Sequence, residues 1–355
     1  MALSLNTSIN GQKFYSCKFP DISISTSYGL ANVTIVVNGA TALSTRYYAV
    51  NGIVNVRNLA SLIELTMERI SRQYCTVSIT ASAGNESFTA SCEVMMCKYN
   101  CMSVDVETFI TNSFLTTNLH RLVSVHGEDV LSFYIAGSGQ YSVGTFKFNC
   151  TLRKADGSVV THEWVSGRRF QYGISNAAIS IGDVQHTCEL TYPGCRLLSF
   201  TLTFNTRICY FYIVPCADAK TFRFTNVFGC QEAVSLPSAT INKLESDFSE
   251  AMVDGQLLHY DIKHTRTYQE QTTQLLSGYM AWLEQFLTSS SIMLRLDAYQ
   301  YADVLIKEYT FEQTNAPGEE NTLTFTWQFA DGRQTTQSYT IHTGIFTEQY
   351  NEPFA

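Results

Sequence analysis

The sequence predicts a mainly β protein that contains α+β units built on antiparallel sheets. Hydrophobic residues make up 45% of the chain, aromatic residues 13% and charged residues only 15%. Thr, Ser, Tyr, Phe and Val are abundant, and this mixture suits pleated, half-buried strands. Short apolar–polar alternations separated by turn residues recur along the chain. At 355 residues the chain exceeds a single small core, so we expect domains at 1–101, 102–216 and 217–355.

The first domain, residues 1–101, is predicted to be β-rich with one helix. Asn38-Gly39 and Asn51-Gly52 each follow an apolar run, and Asn-Gly in that context predicts a tight hairpin turn. An amphipathic helix is expected near 58–70, with Asn58 as its N-cap and one face packed on the sheet. The predicted strands lie at residues 33–37, 47–50, 75–80 and 87–96.

The central domain, residues 102–216, is predicted to be all-β and sandwich-like. Its predicted strands lie at residues 130–136, 144–153, 159–164, 197–204 and 207–214. Residues 155–158 (Ala-Asp-Gly-Ser) and Asn205-Thr206 predict hairpin tips. Regular short strands with such turns are typical of a sandwich or a barrel, and no helix is expected here.

The C-terminal domain, residues 217–355, is predicted to be α+β. Thr267 and Glu270 have capping-box spacing before an amphipathic helix near 268–288. The apolar face of that helix would comprise Leu275, Leu276, Tyr279, Met280, Leu283, Phe286 and Leu287. Strict alternation at 323–329 predicts a strand with one buried face, after which Asp331-Gly332 would turn the chain back into 338–341.

Charge and hydropathy limit the partners. The formal net charge of −8 is spread thinly and no basic stripe is present, so we expect no nucleic-acid partner. The first residues lack the basic start and apolar core of a signal peptide, and no run is long enough to span a membrane. The lack of signal-peptide features, together with an odd count of eleven cysteines, favours a protein made in the bacterial cytoplasm with reduced thiols.

Clustered cysteines are the first candidates for chemistry. Cys92, Cys97 and Cys101 are close enough in sequence to suggest zinc, but they lack paired two-residue gaps and an evident fourth ligand. A structural role in a strand is favoured, and we predict no metal site. Cys188 with Cys195, and Cys209 with Cys216, share one spacing that would suit neighbours across a hairpin and a disulfide in an oxidising environment.

Polar clusters elsewhere give no catalytic motif. His259 and Asp261 would share one face of a strand with solvent, with His264 nearby. Residues 137–139 (Gly-Ser-Gly) are too short for a phosphate loop or a nucleophile elbow and predict a hairpin tip. We therefore predict no catalytic residue and no cofactor.

Two tyrosines are the candidates for surface binding. Asp297 and Asp303 bracket Tyr299 and Tyr301 in a polar turn that lacks the full spacing of a calcium loop.

Several short stretches along the chain carry a family resemblance. They are residues 55–64 (Asn-Val-Arg-Asn-Leu-Ala-Ser-Leu-Ile-Glu), the strand ending at Cys97, residues 114–117 (Phe-Leu-Thr-Thr), residues 225–229 (Thr-Asn-Val-Phe-Gly), Trp282-Leu283 and residues 323–331 (Leu-Thr-Phe-Thr-Trp-Gln-Phe-Ala-Asp). They resemble structural proteins, tail-associated among them, from phages and prophages of gut Bacteroidales. The resemblance implies a non-enzymatic virion component of the tail or tail tip. Its partners would be other virion or tail proteins, further copies of itself and a host-surface glycan.

Two alternatives stay open. A carbohydrate- or cell-surface-binding module would use loops such as the one that holds Tyr299 and Tyr301. A glycan or cell-wall hydrolase would need two carboxylates facing a cleft, and no such pair stands out in the sequence.

Overall fold

The computed structural model describes residues 3–99, 102–214, 219–253, 256–275, 277–297, 300–312 and 321–331. Side chains are not described at residues 247, 253, 258–264, 273, 274 and 277. The protein is mainly β, as predicted, and its strands form several sheets in which most neighbouring pairs are antiparallel. Hydrophobic clusters fill the first, central and C-terminal domains, and a further cluster lies where the domains meet.

The first domain holds two sheets that share one hydrophobic core. Its elements are β1 Ser4–Leu5, β2 Lys13–Tyr15, β3 Ile22–Ser25, β4 Leu30–Val37, β5 Ala40–Tyr48, β6 Ile53–Val56, helix α1 Leu59–Arg69, β7 Tyr74–Ala83 and β8 Glu86–Met95. One sheet has the order β2-β8-β7-β4-β5 and the other β1-β3-β6. Asn38-Gly39 closes the β4–β5 hairpin as predicted. Asn51-Gly52 is also a turn, but it carries the chain from one sheet to the other.

Helix α1 lies where the sequence predicts it. Leu59, Ile63 and Met67 are fully buried against the strands, because their spacing places them on one face. Asn58 occupies the N-cap position, but its backbone is left-handed and its side chain caps nothing. Asp21 supplies the carboxylate instead, since its Oδ1 accepts from the Leu59 N–H at 3.5 Å.

The central domain packs a two-stranded sheet against a five-stranded one, which gives the predicted sandwich-like core. Its elements are α2 Val106–Asn112, β9 His120–Ser124, β10 Glu128–Ile135, β11 Ser142–Arg153, β12 Val159–Phe170, β13 Gly173–Ser180, α3 Ile181–Thr191, β14 Arg196–Phe204 and β15 Arg207–Val214. The larger sheet has the order β12-β11-β14-β15-β9, and β10 pairs with β13. The hairpin tips at 155–158 and 205–206 are confirmed.

The expectation of an all-β central domain is wrong, because α2 and α3 interrupt it. Both helices are short, and both begin at a side-chain cap. Asp105 accepts from the Thr108 N–H at 2.9 Å, and Ser180 accepts from the Asp183 N–H at 3.2 Å. α2 has only seven residues, too few turns for apolar periodicity to reveal it. α3 is as long as α1, but its buried residues are only Ile181, Val184 and Cys188.

The described part of the C-terminal domain is one seven-stranded antiparallel sheet with a helix packed on it, which confirms the α+β arrangement. Its elements are β16 Lys220–Thr225, β17 Gln231–Leu236, β18 Ala239–Val253, β19 Gln256–Leu275, helix α4 Met280–Leu287, β20 Ile292–Arg295, β21 Tyr301–Glu312 and β22 Asn321–Phe329. The strand order is β17-β16-β20-β21-β22-β19-β18. Leu323, Phe325 and Trp327 are buried on β22 as predicted, whereas residues 338–341 lie outside the described residues.

The predicted helix near 268–288 is too long at its start, because residues up to Leu275 belong to β19. Glu270 is not a capping residue. It lies on the buried face of the strand, where its Oε1 accepts from Lys220 Nζ at 2.7 Å and from Trp327 Nε1 at 3.1 Å. Pairing with β22, which is distant in sequence, outweighs the local helical spacing.

Candidate functional site

The hairpin of β18 and β19 extends well beyond its sheet. β22 pairs with β19 only from Tyr268 to Leu275. β18 and β19 continue to pair from Lys243 with Thr267 out to Val253 with Gln256. These eleven residue pairs reach about 35 Å at about 3.4 Å per residue. We call residues 243–267 the arm; the outer edge of β18 pairs with no other described strand.

The arm presents apolar side chains to solvent. Leu244, Phe248, Met252 and Leu257 are each more than half exposed. The first three share one face of β18, because side chains two residues apart along a strand point the same way. A two-stranded hairpin without a further layer is only marginally stable in water. The arm therefore has the composition of a surface that a partner covers.

The outer part of the arm is strongly acidic. Residues 244–262 contain five acidic residues and no Lys or Arg. The acidic residues are Glu245, Asp247, Glu250, Asp254 and Asp261. Lys263 and Arg266 lie opposite Asp247 and Leu244, and Lys243 forms an ion pair with Glu245, so the whole arm, residues 243–267, carries a net charge of −2. Apolar side chains on an acidic hairpin favour a basic partner surface.

A second candidate surface is the outer face of the five-stranded sheet. Tyr210 and Tyr212 are more than a third exposed. The His120 ring stacks on Tyr210 with centroids 4.8 Å apart, and its Nδ1 lies 3.1 Å from the Tyr212 hydroxyl. These rings form one wall of a shallow groove of about 240 Å³. Polar side chains on the neighbouring strands complete the lining: Asn149, Thr151, Thr161, Ser199 and Thr201.

A cleft of about 700 Å³ lies between the first and C-terminal domains. Its walls bond to each other: Gln73 Nε2 donates to the Gly229 carbonyl at 3.1 Å, and the Lys98 N–H donates to the Val227 carbonyl at 3.0 Å. Glu68 and Lys98, both of the first domain, form an ion pair on one wall. The residues 225–229, which carry part of the phage resemblance, form a turn in this seam. The turn thus helps to join two domains.

A buried ionic cluster joins the central and C-terminal domains. Arg121, Asp129 and Glu232 are almost fully buried. Arg121 Nε lies 3.4 Å from Asp129 Oδ2, and Arg121 Nη2 lies 3.2 Å from Glu232 Oε2. The guanidinium also lies 4.3 Å from the Trp282 ring centroid, and Trp282 Nε1 donates to Glu232. The cluster connects β9, β10, β17 and α4.

Burial and charge set the pKa values in this cluster. Burial raises the pKa of Asp129 to about 6, against the opposing effect of Arg121. Burial alone would lower the pKa of Arg121, but Asp129 and Glu232 outweigh it and raise that pKa. The sequence shows no such carboxylate pair, because its members are about a hundred residues apart. Its position inside the protein favours a role in fixing two domains together.

The structure places Tyr301 in an internal contact. Its hydroxyl donates to Glu128 Oε1 at 2.6 Å, and its ring lies 4.1 Å from the Arg223 guanidinium carbon. Burial raises the pKa of Tyr301 to about 12. Tyr299 lies outside the described residues. Tyr210 and Tyr212, which the sequence did not single out, are the more accessible ring pair.

Other sequence-predicted candidates are dispersed. Asp297 Oδ1 accepts from the Gln300 N–H at 2.8 Å, as in a polar turn, while Asp303 pairs within the sheet opposite Met293. The Gly-Ser-Gly at 137–139 connects two sheets and is not the predicted hairpin tip. The side chains of His259, Asp261 and His264 lie outside the described residues.

Of the two cysteine pairs considered for a disulfide, only Cys188 with Cys195 lies within the described residues, and it forms no bridge there. Cys188 lies in α3. Its thiol forms a hydrogen bond with Cys150 of β11 and is not joined to Cys195 across a hairpin. All three are free thiols. Cys92 and Cys97 belong to different hydrophobic clusters. The remaining partners, Cys101 and Cys216, lie outside the described residues.

The described part of the chain has neither a metal-binding cluster nor a membrane-spanning helix. There, no group of three or more His, Cys, Asp or Glu side chains could hold a metal ion. Nor does any helix within it have the length and apolar character needed to cross a membrane.

Comparison with known proteins gives no family. No protein-family model matches the chain, and no curated protein matches it. The fibronectin(III)-like modules of Clostridium thermocellum CbhA are similar over 59% of this chain and 93% of theirs, with 8% identity and a TM-score of 0.16. The Rst D1-D2 structure is similar over 60% of this chain and 99% of its own, with 6% identity and a TM-score of 0.21. At such scores neither likeness supports an inference about function.

Proposed function

We propose that this chain is a non-enzymatic structural protein of a phage or prophage virion, associated with the tail or its tip, that acts by assembling with other proteins. The arm is the observation that carries the proposal. It extends about 35 Å from the sheet at the usual rise per strand residue, with one edge of β18 unpaired among the described strands. The family resemblance of the sequence supplies the virion context.

The physical basis is the cost of leaving such a hairpin in water. An unpaired strand edge offers a row of N–H and C=O groups to another chain. Leu244 and Met252 add apolar area beside that edge. Strand addition joins backbone hydrogen bonds with burial of alternate side chains, and it is a common way for extended segments to bind a sheet.

The proposal is tested by shortening the arm. Lys243 and Thr267 are opposite each other, so residues 244–266 can be replaced by Asn-Gly, which closes a two-residue hairpin. The wild type and the shortened variant are each produced together with the proteins encoded next to this gene, and particles are isolated and imaged by electron microscopy. The wild type should enter particles, and the folded shortened variant should not.

A matched control separates the arm from exposed apolar residues in general. Leu65→Glu alters a side chain that is 65% exposed on α1, far along the chain from the arm, and should not affect incorporation. Circular dichroism of each variant checks folding. If the shortened variant enters particles as well as the wild type does, the arm is not an assembly element and the proposal loses its basis.

The groove on the central sheet favours a second candidate function, the binding of carbohydrate at a cell surface. Aromatic rings stack on sugar rings while hydroxyl and amide groups bond to sugar hydroxyls, and the groove combines both beside Tyr210 and Tyr212. Glycan-array binding that is lost in Tyr210→Ala and Tyr212→Ala, but kept in Tyr48→Ala on another sheet, would support it. Absence of glycan binding by the wild type would count against it.

No observation favours a hydrolase. Asp129 and Glu232 are buried against Arg121 and face no open cleft, and the exposed pair Glu93 and Glu107 is bridged by Lys13. A glycosidase needs its carboxylates on either side of a bound polymer.

A further inference from the structure

β12 and β18 are each the last strand of their sheet, and the open edge of β12 is about as long as the arm. β12 is the last strand of its five-stranded sheet, so one of its edges pairs with no other described strand. It contains twelve residues, and the part of β18 within the arm contributes eleven residue pairs. A strand of that length could run alongside β12 over nearly its whole extent.

The side chains around this edge suit the arm. Val159 and Val165 on β12, and Val143 on the neighbouring β11, are each more than half exposed. Val159 and Val165 would lie next to an added strand that carries Leu244 and Met252, which are exposed to a similar degree, and Val143 would lie one strand further in. Contact between these two sets would remove apolar surface from water, which favours association.

The charges of the two surfaces are opposite. The β11–β12 hairpin, residues 142–170, contains five Lys or Arg and two acidic residues, a net charge of +3. The basic residues are Lys147, Arg153, Lys154, Arg168 and Arg169. The chain as a whole carries −8, and the arm, residues 243–267, carries −2 from five acidic and three basic residues. Charge complementarity of this kind selects the partner surface and speeds association.

Other edges are less suitable. β5 is also the last strand of its sheet, but residues 40–48 carry only one charged side chain, Arg46. Pairing between two arms would place a net charge of −2 on one arm against −2 on the other. Like charges placed together across an interface oppose association.

We propose that the acidic arm of one copy adds to the open, basic β12 edge of a second copy of this chain. Donor and acceptor surfaces differ, so the contact is head-to-tail and produces a ring if the rotation closes, or an open chain if it does not. This inference rests on the proposed assembly function and names the partner of the arm. It also explains why one surface of an acidic protein is basic.

The experiment measures the mass of the purified full-length chain by sedimentation over a range of concentrations. The wild type should associate reversibly, and association should weaken at least several-fold between about 0.05 M and about 0.5 M NaCl, because salt screens exposed charges. The arm-shortened variant, with 244–266 replaced by Asn-Gly, should be monomeric. The double variant Val159→Glu/Val165→Glu should also be monomeric, since it lowers the hairpin charge from +3 to +1.

Mixing the two defective variants gives the decisive result. The arm-shortened chain keeps its β12 edge and the Val159→Glu/Val165→Glu chain keeps its arm, so together they should form a complex of one copy of each. The matched control Val50→Glu/Leu65→Glu changes two comparably exposed aliphatic residues in the first domain and should associate like the wild type. Circular dichroism confirms that every variant is folded.

The inference is overturned if the wild type stays monomeric at low salt, or if the two defective variants form no mixed complex. Failure of the inference can be told from failure of the proposed function by particle incorporation. If the arm-shortened chain is excluded from particles while the Val159→Glu/Val165→Glu chain enters them normally, the arm binds another protein. The proposed assembly function would then be supported, and pairing of the arm with a second copy of this chain would be ruled out.

Discussion

Replacing Arg121 by methionine would leave Asp129 and Glu232 as two buried carboxylates without their guanidinium. Arg121 is 1% exposed, so water cannot take its place. Its Nη2 also donates to Thr116 Oγ1 at 2.9 Å. Methionine fills a similar volume and stays apolar, so the change removes charge and hydrogen bonds with little change in packing.

The expected loss follows from the distances. At an effective dielectric constant of about 20, charges 3.2–3.4 Å apart attract by about 5 kcal/mol for each pair. Desolvation of the three charges offsets much of this attraction in the intact cluster. When one partner is removed, the carboxylates keep their desolvation cost, so the free energy of unfolding should fall by about 3–5 kcal/mol.

Urea unfolding followed by tryptophan fluorescence measures this loss, because Trp282 contacts the cluster directly. The control is the neutral triple variant Arg121→Met/Asp129→Asn/Glu232→Gln, which should recover most of the loss because no isolated charge remains buried. A loss below about 1 kcal/mol in Arg121→Met, the size expected of an exposed pair, would refute the assignment of a buried, mutually dependent cluster.

Three further outcomes are expected. Gly127→Ala should lower the free energy of unfolding by about 1–3 kcal/mol, because its Cβ would lie 3.1 Å from a backbone oxygen, whereas Gly167→Ala, which meets nothing within 4 Å, should not; equal urea midpoints would contradict this. Tyr301→Phe should cost about 1.5–3 kcal/mol by removing the bond to Glu128, and an unchanged stability would mean that the bond contributes nothing. The folded pKa of Asp129 is raised to about 6, so its contribution to stability is present at low pH and lost as pH rises through 6. Asp129→Asn should therefore gain stability relative to the wild type between about pH 4 and about pH 7 in urea titrations, and a pH-independent difference would contradict this.

Local sequence patterns were sufficient to predict the buried face of a single strand or helix. Leu323, Phe325 and Trp327 alternate with polar residues, and all three are buried on β22. The spacing of apolar residues in α1 likewise identified its buried face. In both cases the periodicity of a single element decides which side chains meet the core.

Long-range pairing explains the errors. Residues 268–275 have helical spacing, but Tyr268 pairs with Trp327 and Glu270 receives bonds from Lys220 and Trp327. Asn51-Gly52 is a turn, as its residue types predict, yet which sheets it connects depends on strands β3 and β4 elsewhere in the chain. No window of sequence contains both members of such pairs.

The candidate surfaces show the same division. The sequence could have shown that residues 244–262 are acidic and that 142–170 are basic, since both are simple counts. It could not show that β18 and β19 continue past the end of their pairing with β22. Nor could it show that Tyr301 contacts Glu128 and Arg223 inside the protein, whereas Tyr210 is exposed to solvent.

By itself, the sequence determined the β-rich class, most strands, one helix position and the charge of each segment, because these depend on residue type and short-range spacing. Only the tertiary structure decided which strands share a sheet, where the arm leaves its support and which charges are buried together at Arg121. The physical reason is that strand pairing and burial join residues far apart in the chain. The stability that strand pairing and burial provide depends on partner residues that a local sequence pattern does not identify.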